Sequence, residues 1–328
     1  VNTSGDKNVA VGCYALDANT SGPKNVAVGY GALSANTTGT HNTAVGFAAG
    51  NLTTTGHSNT NIGSESGEAI TEGEYNTSLG AYALKATTTS DFNTAVGSHA
   101  LYANTTGNSN VAIGQSAADS ITTGSANTAV GRYALQALTT NSDCTAVGYK
   151  ALYLATGGSN TAVGIESMKS ACTGTQNASF GRLSGQNITS GGGNTCIGNN
   201  AGNGITTGGN NICLGNDANV ESSGVNNHII LGNSNSDDLR CNDQSIGALS
   251  DARDKTDIVN LPAGLTFVNS LRPVKFKWAS RDGNGNDGKI RAGFLAQELQ
   301  TASKDADYLN LVKDENPDKL VAKYGNLI

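Results

Sequence analysis

The 328-residue chain has little of what builds an ordinary core: four prolines, one tryptophan, one methionine, 5% aromatic and 14% charged residues. A stretch this poor in large apolar side chains is usually disordered, yet the low proline content and the mild net charge of -6 are not those of a disordered tract. A regular repeat that stacks small residues fits better, and the 43 glycines point the same way. No run of 18 apolar residues is present to insert in a membrane, and no basic cluster offers a nucleic-acid footprint. The six cysteines include no C-x-x-C pair, so no zinc site, redox motif or other metal or cofactor site is expected. Cys196 and Cys213 stand one repeat apart and read as stacked free thiols rather than a disulfide. The chain starts at Val1 with neither an initiator Met nor a signal-peptide pattern, and reads as a piece of a longer protein.

What is present is a phrase, "NTAVG", whose glycine recurs fourteen times, from Gly12, Gly29 and Gly46 to Gly215 and Gly232. Twelve of the thirteen intervals are 17 residues, and Gly148 to Gly164 is 16. The residue before the glycine is always apolar, the one two before is small almost throughout, and the one four before is Asn in most turns. A second glycine recurs ten residues after the first (Gly22, Gly39, Gly56, Gly158), usually behind a Thr-Thr pair.

Alternate side chains of a strand face opposite ways, so the Val and the Ala of the phrase lie on opposite faces. Neither face is charged. One can be the interior of a coil, and the other calls for a partner. The two glycines divide each coil into two short strands joined by turns. Fourteen coils at about 4.8 Å make a rod on the order of 65 Å long, in which the asparagines form a ladder, each side chain bonding the next. The "YALxA" segments (Tyr14 to Ala18, Tyr82 to Ala86) suit one short helical turn. Recurring Thr pairs on a flat face raise an ice-binding role, but adjacent threonines on a strand point opposite ways and these precede a turn glycine, which argues against it. Exposed Asn, Thr and Tyr fit a glycan-binding surface, without singling out any residue. No carboxylate pair recurs at a fixed position, which argues against a glycoside hydrolase.

Over residues 1 to about 235 the phrase resembles the head repeats of YadA-type trimeric adhesins. The resemblance implies a parallel β-roll in a homotrimer, although that family's coils are shorter. Chains that interweave into a three-chain β-helix also fit.

Composition then breaks. Residues 1–249 hold 8 Lys+Arg and 15 Asp+Glu, whereas residues 250–328 hold 12 and 11 and carry the only Trp and three of the four prolines. The expected division is a β-solenoid shaft or head at 1–240 and a small α/β domain at 241–328, incomplete at its C-terminus. Leu261, Leu265, Val268 and Leu271 form a helical stripe closing before Pro273, and Val274, Phe276 and Trp278 alternate with lysines as a half-buried strand. "AGFLAQELQTA" reads as helix, and residues 305–319 as irregular.

"LSDARDKTDI", "LRPVKFKW", "RAGFLAQEL" and "VAKYGNLI", in this order, resemble the intramolecular chaperone family of phage endosialidases, tail fibres and spikes. That resemblance covers residues 249–328. It implies a chaperone that assembles three chains and then cuts itself off with a serine-lysine dyad. The family's pattern falls on Ser250, Asp251, Arg253 and Lys255, with Ser250 as nucleophile, Lys255 as its base and the Leu249-Ser250 bond as the cleavage site. An isolated Ser and Lys would read as a helix cap and a surface charge; the three accompanying motifs favour the dyad.

The expectation is therefore a homotrimeric phage tail fibre or spike on the virion. Its partners would be a host cell-surface receptor, most simply a glycan, and other tail proteins, with no nucleic acid and no membrane insertion. Its one catalytic act would be single-turnover self-cleavage. The alternative is a bacterial trimeric surface adhesin with a retained, non-cleaving cap.

Overall fold

The computed structural model describes residues 2–236 and, in the C-terminal region, residues 256, 265–277, 279, 288–304, 309, 311–313 and 321–322. Chain contacts divide it into two compact units, Val1–Asn233 and Ser234–Ile328.

The first unit is a parallel β-solenoid. Fourteen three-residue strands, from β1 (Val9–Val11) to β14 (Ile229–Leu231), form one parallel sheet in sequence order. Equivalent residues of the phrase pair with each other, as in Ala27↔Ala44 and Ala129↔Ala146. The 16-residue interval keeps this register, with Thr145 opposite Thr161. Each coil contains one strand, not the two expected, and the rest is a succession of turns.

The reason lies in residues other than glycine. In nearly every coil the chain passes through left-handed conformations before the strand and again at the second and fourth residues after the phrase glycine, as at Tyr82 (φ 62°) and Leu84 (φ 50°). Leu33, Leu84, Leu101, Leu135 and Leu152 all take this conformation and are fully buried. A left-handed L-residue costs about 1–2 kcal/mol, and burying a leucine returns about 1.5–3 kcal/mol. Burial thus offsets the cost of the leucine's own left-handed conformation, and "YALxA" is a turn that drives its Leu inward. Opposite it, the central Ala of the strand is buried while its neighbours on either side are half-buried, as in Thr43–Val45 and Thr128–Val130. A larger buried residue (Ile70, Ile121, Leu138, Ile188, Ile205) fills the remaining corner.

The polar repeats satisfy the backbone between coils. Asn25 Oδ1 accepts the N–H of Asn42 at 2.9 Å, and Asn25 Nδ2 donates to the Gly39 carbonyl at 2.8 Å. The same pair of bonds recurs at Asn42, Asn59, Asn93 and Asn110. The ladder is thus mainly side chain to backbone, with side-chain links such as Asn76 Nδ2 to Asn59 Oδ1 (3.2 Å) added. The first Thr of each pair is bound too: Thr37 donates both its N–H (2.9 Å) and its hydroxyl (3.1 Å) to the Thr54 carbonyl. This explains the threonines as structural.

The second unit contains α1 (Leu265–Ser270), β15 (Val274–Phe276), β16 (Arg291–Gly293), α2 (Ala296–Ala302), β17 (Val312–Lys313) and β18 (Val321–Ala322). β15 and β16 pair antiparallel, as do β17 and β18. Val274 and Phe276 are half-buried and Lys275 is exposed, as the alternation requires; Trp278 lies outside the described residues. The stretch expected as helix from Ala292 instead begins as strand, and helix starts only at Ala296. Val312 and Lys313 are strand within a stretch expected to be irregular. Val268, on the expected buried stripe, is exposed. Arg272 forms an ion pair with Glu298, fastening the α1–β15 connection to α2, and Leu299 is buried.

Candidate functional site

Leu249, Ser250, Asp251, Arg253 and Lys255 lie outside the described residues; Thr256, next to the lysine, is exposed. The chemistry on view belongs to the solenoid, where the coil repeat lays out three surfaces.

The first is the outward face of the sheet. Strand alternation sends the residues flanking the buried Ala outward, so a Thr row and a Val row run side by side along the sheet. In the second row Leu79, Ile113, Phe180 and Ile197 are each more than two-fifths exposed. This face carries no charge.

The second is a set of aromatic ladders at coil corners. Tyr14, Tyr30 and Phe47 follow one another at 5.5 Å between ring centroids. Tyr75 and Phe92 lie parallel within 2° at 5.3 Å, and His57 meets Tyr75 edge-on while its Nε2 sits 3.0 Å from Glu74. Lys85 lies 2.5 Å from Glu65 and 3.5 Å from Glu68, and the hydrogen bond to Glu65 holds its pKa above the usual lysine value.

The third is a groove of about 450 Å³ bordered by Asn141, Ser142, Asp143, Ser159, Thr175 and Gln176. The short coil carves it. Gly157, not Gly158, stacks against the next coil's second glycine, where a Cβ would stand 2.2 Å from the Gly174 oxygen. The missing residue is thus the second Thr of the pair, and Gly158 falls on the corner position held by Ser142 and Thr175 without a side chain to fill it. Ser159 N–H donates to the Ser142 carbonyl at 3.0 Å, as Asp143 N–H does to Ser125 at 3.2 Å, which fixes this alignment. Cys144 takes the ladder Asn's place here. It has no amide oxygen to pass on, and its Sγ contacts the Gly157 carbonyl at 3.5 Å.

The paired Cys196 and Cys213 are buried free thiols. Their shared hydrogen bond and burial push Cys196 up, and burial pushes Cys172 up to about 11. Among the described residues no group of three His, Cys, Asp or Glu could hold a metal ion. No described helix is long and apolar enough to cross a membrane.

Residues 250–308 match the peptidase S74 family model, described as chaperone of endosialidase. The match begins at Ser250 and includes Lys255, β15, β16 and α2. No curated protein matches the chain. The chain thus joins a parallel β-solenoid to a C-terminal segment similar to that chaperone family. Sequence reasoning found the glycine phrase and the C-terminal segment but not the corner ladders or the groove. Their signals were Glu74-Tyr75 and Asp91-Phe92 at one repeat's distance and the lost residue before Gly157.

Proposed function

We propose that the chain is part of a homotrimeric phage tail fibre or spike that displays a β-solenoid for host attachment on the virion, folded by its own C-terminal chaperone. The observation that carries this reading is the chaperone-of-endosialidase match at residues 250–308, C-terminal to fourteen in-register coils. The physical need is clear. Near-identical coils on separate chains can pair one coil out of step at small local cost, and parallel non-local assembly is slow. A distinct nucleus at the C-terminus sets the register. The uncharged outward face, with its row of exposed Val, Leu, Ile and Phe, is the surface the three copies would share, since only another solenoid repeats at the same spacing along its whole length.

In this reading Ser250 and Lys255 cut the chaperone away. Lys255, its pKa lowered by burial in the assembled trimer, accepts the Ser250 hydroxyl proton as Oγ attacks the Leu249 carbonyl carbon. The Leu249-Ser250 amide breaks, leaving Leu249 as an ester on Oγ and freeing the Ser250 amine. Water then hydrolyses the ester to a Leu249 carboxylate. Each chain turns over once, and losing the nucleus makes the assembly hard to reverse.

The test is the solution mass by light scattering of the expressed chain beside a version ending at residue 240. The reading expects a trimer from the whole chain and monomer or aggregate from the shortened one. A whole chain that stays monomeric, or a shortened one that trimerises as well, contradicts it.

A further inference from the structure

The coil corner preceding the strand carries an aromatic step at one end and the groove at the other. Tyr75 and Phe92 occupy equivalent positions in successive coils, and the next three coils put Ser109, Ala126 and Asp143 there. The ladder therefore stops at Phe92. One face of its ring is stacked on Tyr75, while the other looks along the corner over Ser109, and Phe92 is 58% exposed. An aromatic face is electron-rich and attracts the polarised C–H bonds of an apolar sugar face. The neighbouring corner residues are Asp91, Asn108 and Ser125, a carboxylate, an amide and a hydroxyl on successive coils. Each caps the backbone of the coil before it: Asp91 Oδ1 accepts from Glu74 N–H at 2.7 Å, and Asn108 Oδ1 accepts from Asp91 N–H at 2.7 Å. Their positions are thereby fixed, while Asn108 keeps its NH2 donors and Asp91 its second oxygen's acceptor capacity.

Further along the same corner lies the groove with Asn141, Asp143 and Gln176. From Phe92 to Gln176 is five coils, about 24 Å at the spacing of paired strands. Between His57 and Gln176 this corner bears carboxylates at Glu74, Asp91 and Asp143 and no lysine or arginine. Sialylated, phosphorylated or uronate-bearing chains meet like charge there.

We propose that this corner, from the Phe92 ring to the Asp143–Gln176 groove, binds an extended neutral oligosaccharide, one sugar stacking on Phe92 and later ones lying in the groove. The proposal rests on the attachment reading and names its receptor chemistry. The corner lies outside the Thr and Val rows, so copies packed through those rows leave it available.

The test uses the full chain and its Phe92→Ala, Asp143→Ala/Gln176→Ala and Phe47→Ala variants on an immobilised panel of neutral oligosaccharides with sialylated and uronate counterparts. Light-scattering mass and thermal unfolding are measured on the same samples. Wild type should retain neutral glycans, the two corner variants should bind about tenfold or more weakly at unchanged mass and Tm, and Phe47→Ala, on another ladder, should bind like wild type. A corner variant of altered mass or Tm is replaced by Phe92→Leu, which keeps the bulk and removes the π face and should show the same loss. Retention that ignores these substitutions, preference for acidic glycans, or no retention of neutral ones overturns the site. A trimer with any of these failures leaves the fibre reading standing, whereas a monomer that retains nothing removes both.

Discussion

Gly114 follows the seventh strand, β7 (Val111–Ile113), and sits at φ +133°, a conformation L side chains rarely adopt. A Cβ there would meet the Gly131 carbonyl carbon at 2.7 Å and its oxygen at 2.8 Å, both backbone atoms of the next coil. Backbone strain of this kind costs about 1–3 kcal/mol. Forcing a methyl into a packed stack costs about 1–3 kcal/mol more. Gly114→Ala is therefore expected to destabilise the solenoid by roughly 2–6 kcal/mol. Gly204 is the matched control: its φ lies outside the left-handed region, and a Cβ would find its nearest neighbour, the Val220 oxygen, at an ordinary 3.4 Å. Gly204→Ala should be neutral or stabilising by about 0.4–1 kcal/mol through the unfolded state. Guanidinium unfolding followed by circular dichroism on both variants decides. If Gly114→Ala unfolds within about 0.5 kcal/mol of wild type, or both variants shift equally, then steric stacking of the phrase glycines does not explain their recurrence.

Asn110→Ala removes the acceptor for the buried Asn127 N–H and the donor to the Gly124 carbonyl, and should cost about 1–3 kcal/mol per orphaned group, read by the same unfolding assay. Of the five described cysteines, Cys13 is exposed and should alkylate quickly at pH 8, while the buried Cys144, Cys172, Cys196 and Cys213 should stay unlabelled until the chain unfolds, as peptide mass mapping would show. Because Cys172 is raised from 9.0 to about 11 by burial, its protonated form is the one the fold favours. Its contribution to stability is whole below pH 9 and is lost as pH rises towards 11, so the unfolding midpoint of Cys172→Ala should change less than that of wild type across that window. On the proposal that three copies share the outward face, Val130→Asp on its half-buried row should lower the solution mass without unfolding the coils, whereas Asp119→Asn should leave it unchanged.

The solenoid was legible because its constraints act on single residues at a fixed spacing. A glycine that no side chain can replace leaves the same letter in every coil, while an enclosed strand position that takes Ala in most coils and an Asn bound to the next coil leave theirs in most. The single strand per coil was not legible. Local propensity gives no reason for Leu84 or Leu101 to adopt a left-handed conformation, and only their burial in the finished stack selects it. Gly158 misled for a similar reason: spacing in sequence made it the coil's second glycine, but stacking in space gives that place to Gly157. Near residue 292, the helical pattern concealed a strand that exists because Arg291 and Gly293 pair with Phe276 and Val274. The Ser250-Lys255 dyad was read from motif order alone, and those residues are outside the described structure.

The intact mass, under denaturing conditions, of the freshly expressed chain beside its Ser250→Ala variant tests the chaperone-protease reading most directly. The account predicts two wild-type products, one ending at Leu249 and one beginning at Ser250, and a single undivided variant. A trimeric wild type that stays whole, or a variant cut at the same bond, contradicts it.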